Sequence, residues 1–210
     1  MLPAHAEQAE DPEDPPPWAS FVVHPGCFTH EECDRLVEIG EAALGPDGAT
    51  EARIEGLEAP GDLRMSRVGW VDPHGEARWA VERLLAVAAA ANQRWRLDVD
   101  GLEEDLQYTL YDLPGSHYTW HHDGLEAGVE DRKVSLVVQL TDPAEYEGGD
   151  LEFLEVATDY SPAERQAYLA QARARGTVVS FCSFEYHRVT PLVRGTRRSL
   201  VAWLSGPPLR

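Results

Sequence analysis

The hydrophobic period of the chain changes at about residue 104. Before that point apolar positions recur with helical spacing. Thr29-His30-Glu31-Glu32 has the form of a capping box, with Thr29 as N-cap and Glu32 three positions on, and Cys33, Leu36, Val37 and Gly40 follow at helical intervals. This predicts a helix over about 29–43. A second helix is predicted over about 76–95, where Trp79, Leu84, Val87, Ala88, Ala91 and Trp95 make a broad apolar stripe. Ahead of the first helix, FVV at Phe21 reads as a short strand opening the ordered domain. Between the helices, residues 45–63 are rich in Gly, Pro and acidic side chains and read as a loop, and Arg64 to Val71 reads as a strand.

From about residue 104 to 206 the pattern is one of short runs rich in Val, Leu, Tyr and Phe, separated by turn signals: LQYTLYDL, SHYTWHHD, KVSLVVQL, GDLEFLE, GTVVSFCSF and RRSLVAWL. One helical insert interrupts them over about 161–175, marked by Ser161 as N-cap, Pro162 at the first helical position and Glu164 at the third. Helices followed by a series of short strands predict an α+β chain whose core is a β-sandwich or barrel. With 210 residues the expected organisation is one domain over 20–210, preceded by an acidic, proline-rich tail over 1–19 expected to be disordered. Trp70 and Trp203 are expected in the core. Tyr118 and Trp120 sit on alternating strand positions, which suits either the core or the mouth of a site.

Charge narrows the partners. The formal net charge of −19 repels a phosphate backbone, so no nucleic-acid partner is expected. No apolar run approaches the roughly 18–20 residues that span a bilayer, so no membrane partner is expected. The N-terminus lacks a basic segment followed by an apolar one, and a cytoplasmic location is the default expectation. Cys27, Cys33 and Cys182 lack metal-type spacing, and Cys182 within VVSFCSF reads as a small core residue. Oligomeric state is left open.

The candidate chemistry begins at His121-His122-Asp123, at the end of a strand-like run. In a strand, positions i and i+2 share a face, so His121 and Asp123 can converge on a metal while His122 points away. Taken alone, a surface histidine beside a solvated aspartate explains the pair as well. His187 follows an apolar strand, where an imidazole needs a partner; a metal or a hydrogen-bonded core position would each supply one. Two histidines and a carboxylate on one face suit a divalent first-row metal with open positions. Arg197 and Ser199 share a strand face ten residues on and call for an anionic partner if buried, although Arg197 also fits the exposed end of the basic run RGTRR.

These residues fall into a recognisable order. Gly115-Ser116-His117-Tyr118-Thr119-Trp120-His121-His122-Asp123 resembles the G-x-x-Y-x-x-H-x-D motif of the prolyl 4-hydroxylase group of 2-oxoglutarate/iron(II) oxygenases. RKVSLVVQLTDPAEYEGGDLEF resembles the group's R-x-x-S…Y-x-G-G-x-L segment, and His187-Arg188-Val189-Thr190-Pro191 with Arg194-Gly195-Thr196-Arg197 resembles its H-x-V-x-P…R-G-x-R segment. The likeness covers about 104–206. It implies a double-stranded β-helix (jelly-roll) core with the N-terminal helices packed on one sheet. It implies that His121, Asp123 and His187 bind Fe(II), that Arg197 and Ser199 hold the distal carboxylate of 2-oxoglutarate, and that Tyr111 lines the co-substrate pocket. Some relatives carry a tyrosine near the end of KVSLVVQL; this chain has Gln139 there, whose amide can donate the same hydrogen bond. Asp123 distinguishes the chain from halogenating relatives, which have a small residue in its place.

The function implied is hydroxylation of an unactivated C–H bond, with 2-oxoglutarate and O2 consumed, succinate and CO2 released, and ascorbate as an optional cofactor. The substrate implied is amino-acid-like, peptidyl or a small metabolite, and the net charge favours a cationic or amino-acid-like substrate, or a peptide. Gly124 to Arg132 is a candidate mobile loop beside the site, and residues 155–176 are either a lid or a helix packed outside the barrel. The competing classes are a cupin-like jelly-roll metal protein, which would not need Arg197 and Ser199, a non-catalytic binding domain, which would have a broken triad, and a nucleic-acid demethylase, which the charge disfavours.

Overall fold

A computed structural model describes residues 19–44, 50–51, 63–125 and 128–207. The acidic tail over 1–18 and most of the expected loop over 45–63 lie outside the described residues. Four helices are described: α1 (His30–Leu44), α2 (Arg78–Trp95), α3 (Leu154–Thr158) and α4 (Pro162–Ala172). The strands are β1 (Phe21–His24), β2 (Thr50–Glu51), β3 (Arg64–Met65), β4 (Arg67–Val71), β5 (Leu106–Tyr111), β6 (His117–His121), β7 (Arg132–Gln139), β8 (Tyr146–Gly148), β9 (Leu151–Phe153), β10 (Val178–Cys182), β11 (His187–Val189), β12 (Leu192–Gly195) and β13 (Arg197–Ser205). A seven-stranded sheet in the order β1-β10-β7-β13-β5-β4-β2 faces a four-stranded sheet in the order β3-β6-β11-β9, with β12-β8 as a separate ribbon. The named strand pairs are antiparallel, and the architecture is an α+β jelly roll.

The seven-stranded sheet is built on the two-residue period of its central strands. Leu106, Tyr108 and Leu110 on β5, Val134, Leu136 and Val138 on β7, and Leu200, Ala202 and Leu204 on β13 are buried with the stripe of α2 (Ala80, Leu84, Ala88, Ala91, Trp95) and with Cys33 and Leu36 of α1. The alternate positions turn the other way, toward the four-stranded sheet. There Val137, Val179 and Phe181 meet Leu151 and Phe153. One face of the sheet therefore serves the core beneath the helices, and the other forms the interior of the sandwich.

α1 starts with the capping box its sequence announces: Thr29 Oγ1 accepts from the Glu32 amide (3.2 Å) and the Glu32 carboxylate accepts from the Thr29 amide (2.8 Å). α4 has the same device in Ser161 and Glu164. It packs Tyr168 and Ala172 on the second core with Val156 of α3, and Arg165 pairs with the buried Glu152 of β9, so the insert lies along the β9 edge of the four-stranded sheet. Two close approaches depend on glycine. A Cβ on Gly40 would overlap the Tyr108 ring, and one on Gly176, at φ +82°, would lie 2.0 Å from the Phe28 carbonyl oxygen. Gly176→Ala is expected to destabilise the fold by about 2 kcal/mol or more, read as a lowered urea midpoint at unchanged m-value.

Three expectations need correction. The loop predicted over 45–63 contains β2, which pairs with β4. The strand predicted from Arg64 to Val71 is two strands in different sheets. β3 pairs with β6 and β4 with β5, the change of sheet falling at Ser66. Trp70 is 44% exposed rather than core. It is the register partner of Gln107, whose side chain faces the sandwich interior, and it sits at the rim near Trp203 (ring centroids 6.3 Å apart). Among the described residues no helix is long and apolar enough to cross a membrane.

Candidate metal centre and adjoining cleft

The two histidines are distant in sequence and adjacent in the sheet. His187 on β11 is the direct register partner of His121 on β6, which sets the imidazole centroids 4.2 Å apart. Asp123 follows two residues after His121, held where its amide donates to the Ser183 carbonyl (2.8 Å). One ligand atom from each of the three residues lies within 4.8 Å of the others, and all three residues are buried. Asp123 Oδ1 stands 3.5 Å from His121 Nε2 and 3.8 Å from His187 Nε2.

Each imidazole is oriented from behind. Nδ1 of His121 bonds the Thr119 carbonyl (2.8 Å), and Nδ1 of His187 bonds the Glu185 carbonyl (2.9 Å). With Nδ1–H as the donor in both bonds, each Nε2 lone pair is directed toward Asp123. The Ser135 hydroxyl donates to Asp123 Oδ2 (2.7 Å), which leaves Oδ1 for a ligand. Burial lowers the His187 pKa to about 4, against the opposing pull of Asp123, so its ring is neutral near pH 7. For Asp123, burial pushes the carboxyl up, but the His187 and His121 rings and the Ser135 hydroxyl outweigh it and hold the group ionised, well below the usual carboxylate range. Two imidazole Nε2 atoms and one carboxylate oxygen, already turned to a common point, fit a divalent first-row cation such as iron(II). His122 turns away and packs on Tyr186 (4.7 Å).

The triad opens into a cleft between the two sheets. Its floor comes from the inward-facing positions of the seven-stranded sheet: Gln107, Thr109 and Tyr111 of β5 and Arg197, Ser199, Val201 and Trp203 of β13. Arg197 is 2% exposed and has no carboxylate partner among the described residues. One guanidinium nitrogen, Nη2, donates to Gln139 Oε1 (3.1 Å), the guanidinium lies 5.2 Å from the Tyr111 ring centroid, and the buried Nη1 has no hydrogen-bond partner. A buried cation left in this state fits a carboxylate arriving from the cleft. Ser199 lines the cleft and pairs in register with Thr109 and Gln139. Gln139 is not among the lining residues; its amide oxygen serves Arg197.

The cleft thus brings together six of the seven candidate residues, with Gln139 directly behind. Sequence reasoning missed Gln107 and Thr109, although counting back by twos from Tyr111 along β5 finds both. Arg132 lies in the R-x-x-S segment. It lines the cleft with Nε and Nη2 donating to the Glu104 carboxylate (2.6 and 2.5 Å) and its charge 3.9 Å from the Trp203 ring centroid. Arg64 also lines the cleft, and nothing in the sequence singled it out. Tyr118 is half-buried, stacked on His121 at 3.5 Å, and lines the cleft. Trp120 faces the opposite side and stacks on Tyr186.

Residues 106–205 match the 2OG-Fe(II) oxygenase superfamily. A PKHD-type hydroxylase of Thermosynechococcus vestitus is 29% identical over 182 residues, covering 84% of this chain and 74% of the relative. Among solved structures, a Pseudomonas putida prolyl-4-hydroxylase aligns over 90% of this chain and 93% of its own, with a TM-score of 0.64 and 21% identity. A Trichoplax adhaerens prolyl hydroxylase, solved with a hypoxia-inducible-factor peptide, aligns over 89% of this chain and 84% of its own at a TM-score of 0.63 and 15% identity.

Proposed function

We propose that the chain, whose residues 106–205 match the 2OG-Fe(II) oxygenase superfamily, is an Fe(II)/2-oxoglutarate-dependent hydroxylase of the prolyl 4-hydroxylase group, in which His121, Asp123 and His187 hold the iron and Arg197 anchors 2-oxoglutarate. The observation that carries this reading is the pairing, in one cleft, of a convergent His-Asp-His set with a buried guanidinium whose Nη1 lacks a partner. Bound iron(II), with 2-oxoglutarate and O2, supplies the oxidising power for C–H hydroxylation, with succinate and CO2 as co-products.

The chain's own residues supply position. The Thr119 and Glu185 carbonyls fix both imidazole tautomers, so the ring nitrogens meet the metal unprotonated. Ser135 fixes the rotation of the Asp123 carboxylate. Arg197 would hold the far end of the dicarboxylate through its unpartnered Nη1, with Gln139 fixing Nη2 beside the Tyr111 ring and Ser199 offering a hydroxyl. Val137, Leu151, Val189 and Val201 give the cleft apolar walls that limit water. The substrate is amino-acid-like, peptidyl or a small metabolite, and ascorbate is an optional cofactor.

The test is an anaerobic titration of the purified chain with iron(II) and 2-oxoglutarate, followed by the weak visible charge-transfer band. A band that saturates with both supports the reading. An iron-loaded chain without one overturns it in favour of a cupin-like metal protein. Ser135→Ala is expected to lower iron affinity roughly 10- to 100-fold by freeing the Asp123 carboxylate, measured in the same titration.

A further inference from the structure

The cleft holds a second guanidinium that the iron and 2-oxoglutarate sites leave unused. Arg64 enters from β3, in the four-stranded sheet, because the chain changes sheets at Ser66. Its Nε donates to Ser66 Oγ (2.8 Å), and its Nη2 donates to Gln107 Oε1 (2.8 Å) and Thr109 Oγ1 (3.4 Å). These partners are all neutral, and no carboxylate among the described residues pairs with it. The contrast with Arg132 is direct, since the Glu104 carboxylate already takes Nε and Nη2 of that side chain. The Arg64 guanidinium lies 4.6 Å from the centroid of the Tyr118 ring, and that ring stacks on His121 at 3.5 Å. A positive charge is thereby held one aromatic ring away from the metal centre.

We propose that Arg64 is the residue that recognises the substrate to be oxidised, and that this substrate is a small carboxylate of about amino-acid size. The proposal rests on the iron and 2-oxoglutarate assignment above, because Arg197 must be taken by the co-substrate for Arg64 to remain. Arg64 Nη1 bonds no described residue and is left for a ligand. Gln107, its oxygen engaged by Arg64, retains a free amide NH2 beside it. One guanidinium with one amide donor suits a carboxylate, whereas a phosphate dianion would call for more donors. A residue within a polypeptide has no free α-carboxylate for Arg64 to bind, so this pairing favours a small molecule over a polypeptide segment. The local field therefore opposes the net charge of −19: the chain is acidic as a whole, and this cleft is lined by cations.

The test is isothermal titration calorimetry on the full chain loaded anaerobically with iron(II) and saturating 2-oxoglutarate. The probes are free L-amino acids, each beside its carboxamide. In the wild type at least one acid is expected to bind tenfold or more tightly than its amide. Arg64→Gln is expected to erase that preference, and Arg64→Lys to restore part of it. The charge-transfer band and the 2-oxoglutarate titration are expected to be unchanged in both variants, which also shows that they fold. No acid preferred over its amide, or a preference that survives Arg64→Gln, overturns the proposal. So does a 2-oxoglutarate affinity that falls in Arg64→Gln, since Arg64 would then serve the co-substrate. Absence of the band in the wild type is a separate failure, of the iron and 2-oxoglutarate assignment itself.

Discussion

His187→Ala is expected to lower iron(II) affinity by more than about 100-fold and to remove the charge-transfer band at iron concentrations that saturate the wild type. The magnitude follows from its place: loss of residues that merely orient a ligand costs about 10- to 100-fold, and His187 is itself a proposed ligand. Its Nε2 is one of three donors, and the two that remain cannot close a face around the metal. The neighbouring histidine supplies the control. His122→Ala removes an imidazole of the same chemistry one position from His121, on the opposite face of β6, where it packs on Tyr186. It is expected to leave iron binding at the wild-type level. Equal losses from His121→Ala and His122→Ala would mean that the metal is not held by this face of the strand.

Arg197→Met is expected to weaken 2-oxoglutarate binding roughly 30- to 5,000-fold, the range spanned by truncating one partner of a buried charge pair. Its effect on the ligand-free protein runs the other way. The guanidinium is buried with Nη1 unpartnered, and replacing such a charge with an apolar chain of similar reach is neutral or stabilising. The melting temperature without co-substrate should therefore be unchanged or raised, and the increment gained on adding 2-oxoglutarate should shrink or vanish. Wild-type affinity in Arg197→Met would remove Arg197 from the co-substrate site. A large loss of ligand-free stability would make it a structural residue first.

The sandwich was legible because its signal is local. Period two along LQYTLY, KVSLVVQ and RRSLVAWLS sorts side chains to two faces whatever the final topology, and Asp123 falls beside His121 by the same rule. The histidine pair was legible only in part. Nothing within HRV announces that β11 lies against β6, and the register that sets His187 opposite His121 is a long-range property. The family-like order of motifs supplied that link. Arg64 and Trp70 were not legible for a related reason. RMSRVGWV reads as one strand, and its passage from one sheet to the other at Ser66 depends on two partners, β6 and β5, that lie about 40 to 50 residues further along. The cationic, amino-acid-like or peptide substrate suggested by net charge rested on a whole-chain average, which carries no information about a cleft lined by Arg64, Arg132 and Arg197.

The division of β5 and β13 between two faces also bears on how such a protein can evolve. Each strand is in effect two interleaved sequences under different selection. The positions beneath the helices answer to volume and shape, so they drift among apolar residues of similar size. The positions between them answer to whatever molecule the cleft admits. A lineage can therefore exchange Gln107, Thr109, Val201 or Trp203 for other side chains, and so explore new substrates, while the residues that hold the helices to the sheet stay apolar. New specificity can be reached in this architecture by changing every second residue, without rebuilding the fold that carries it.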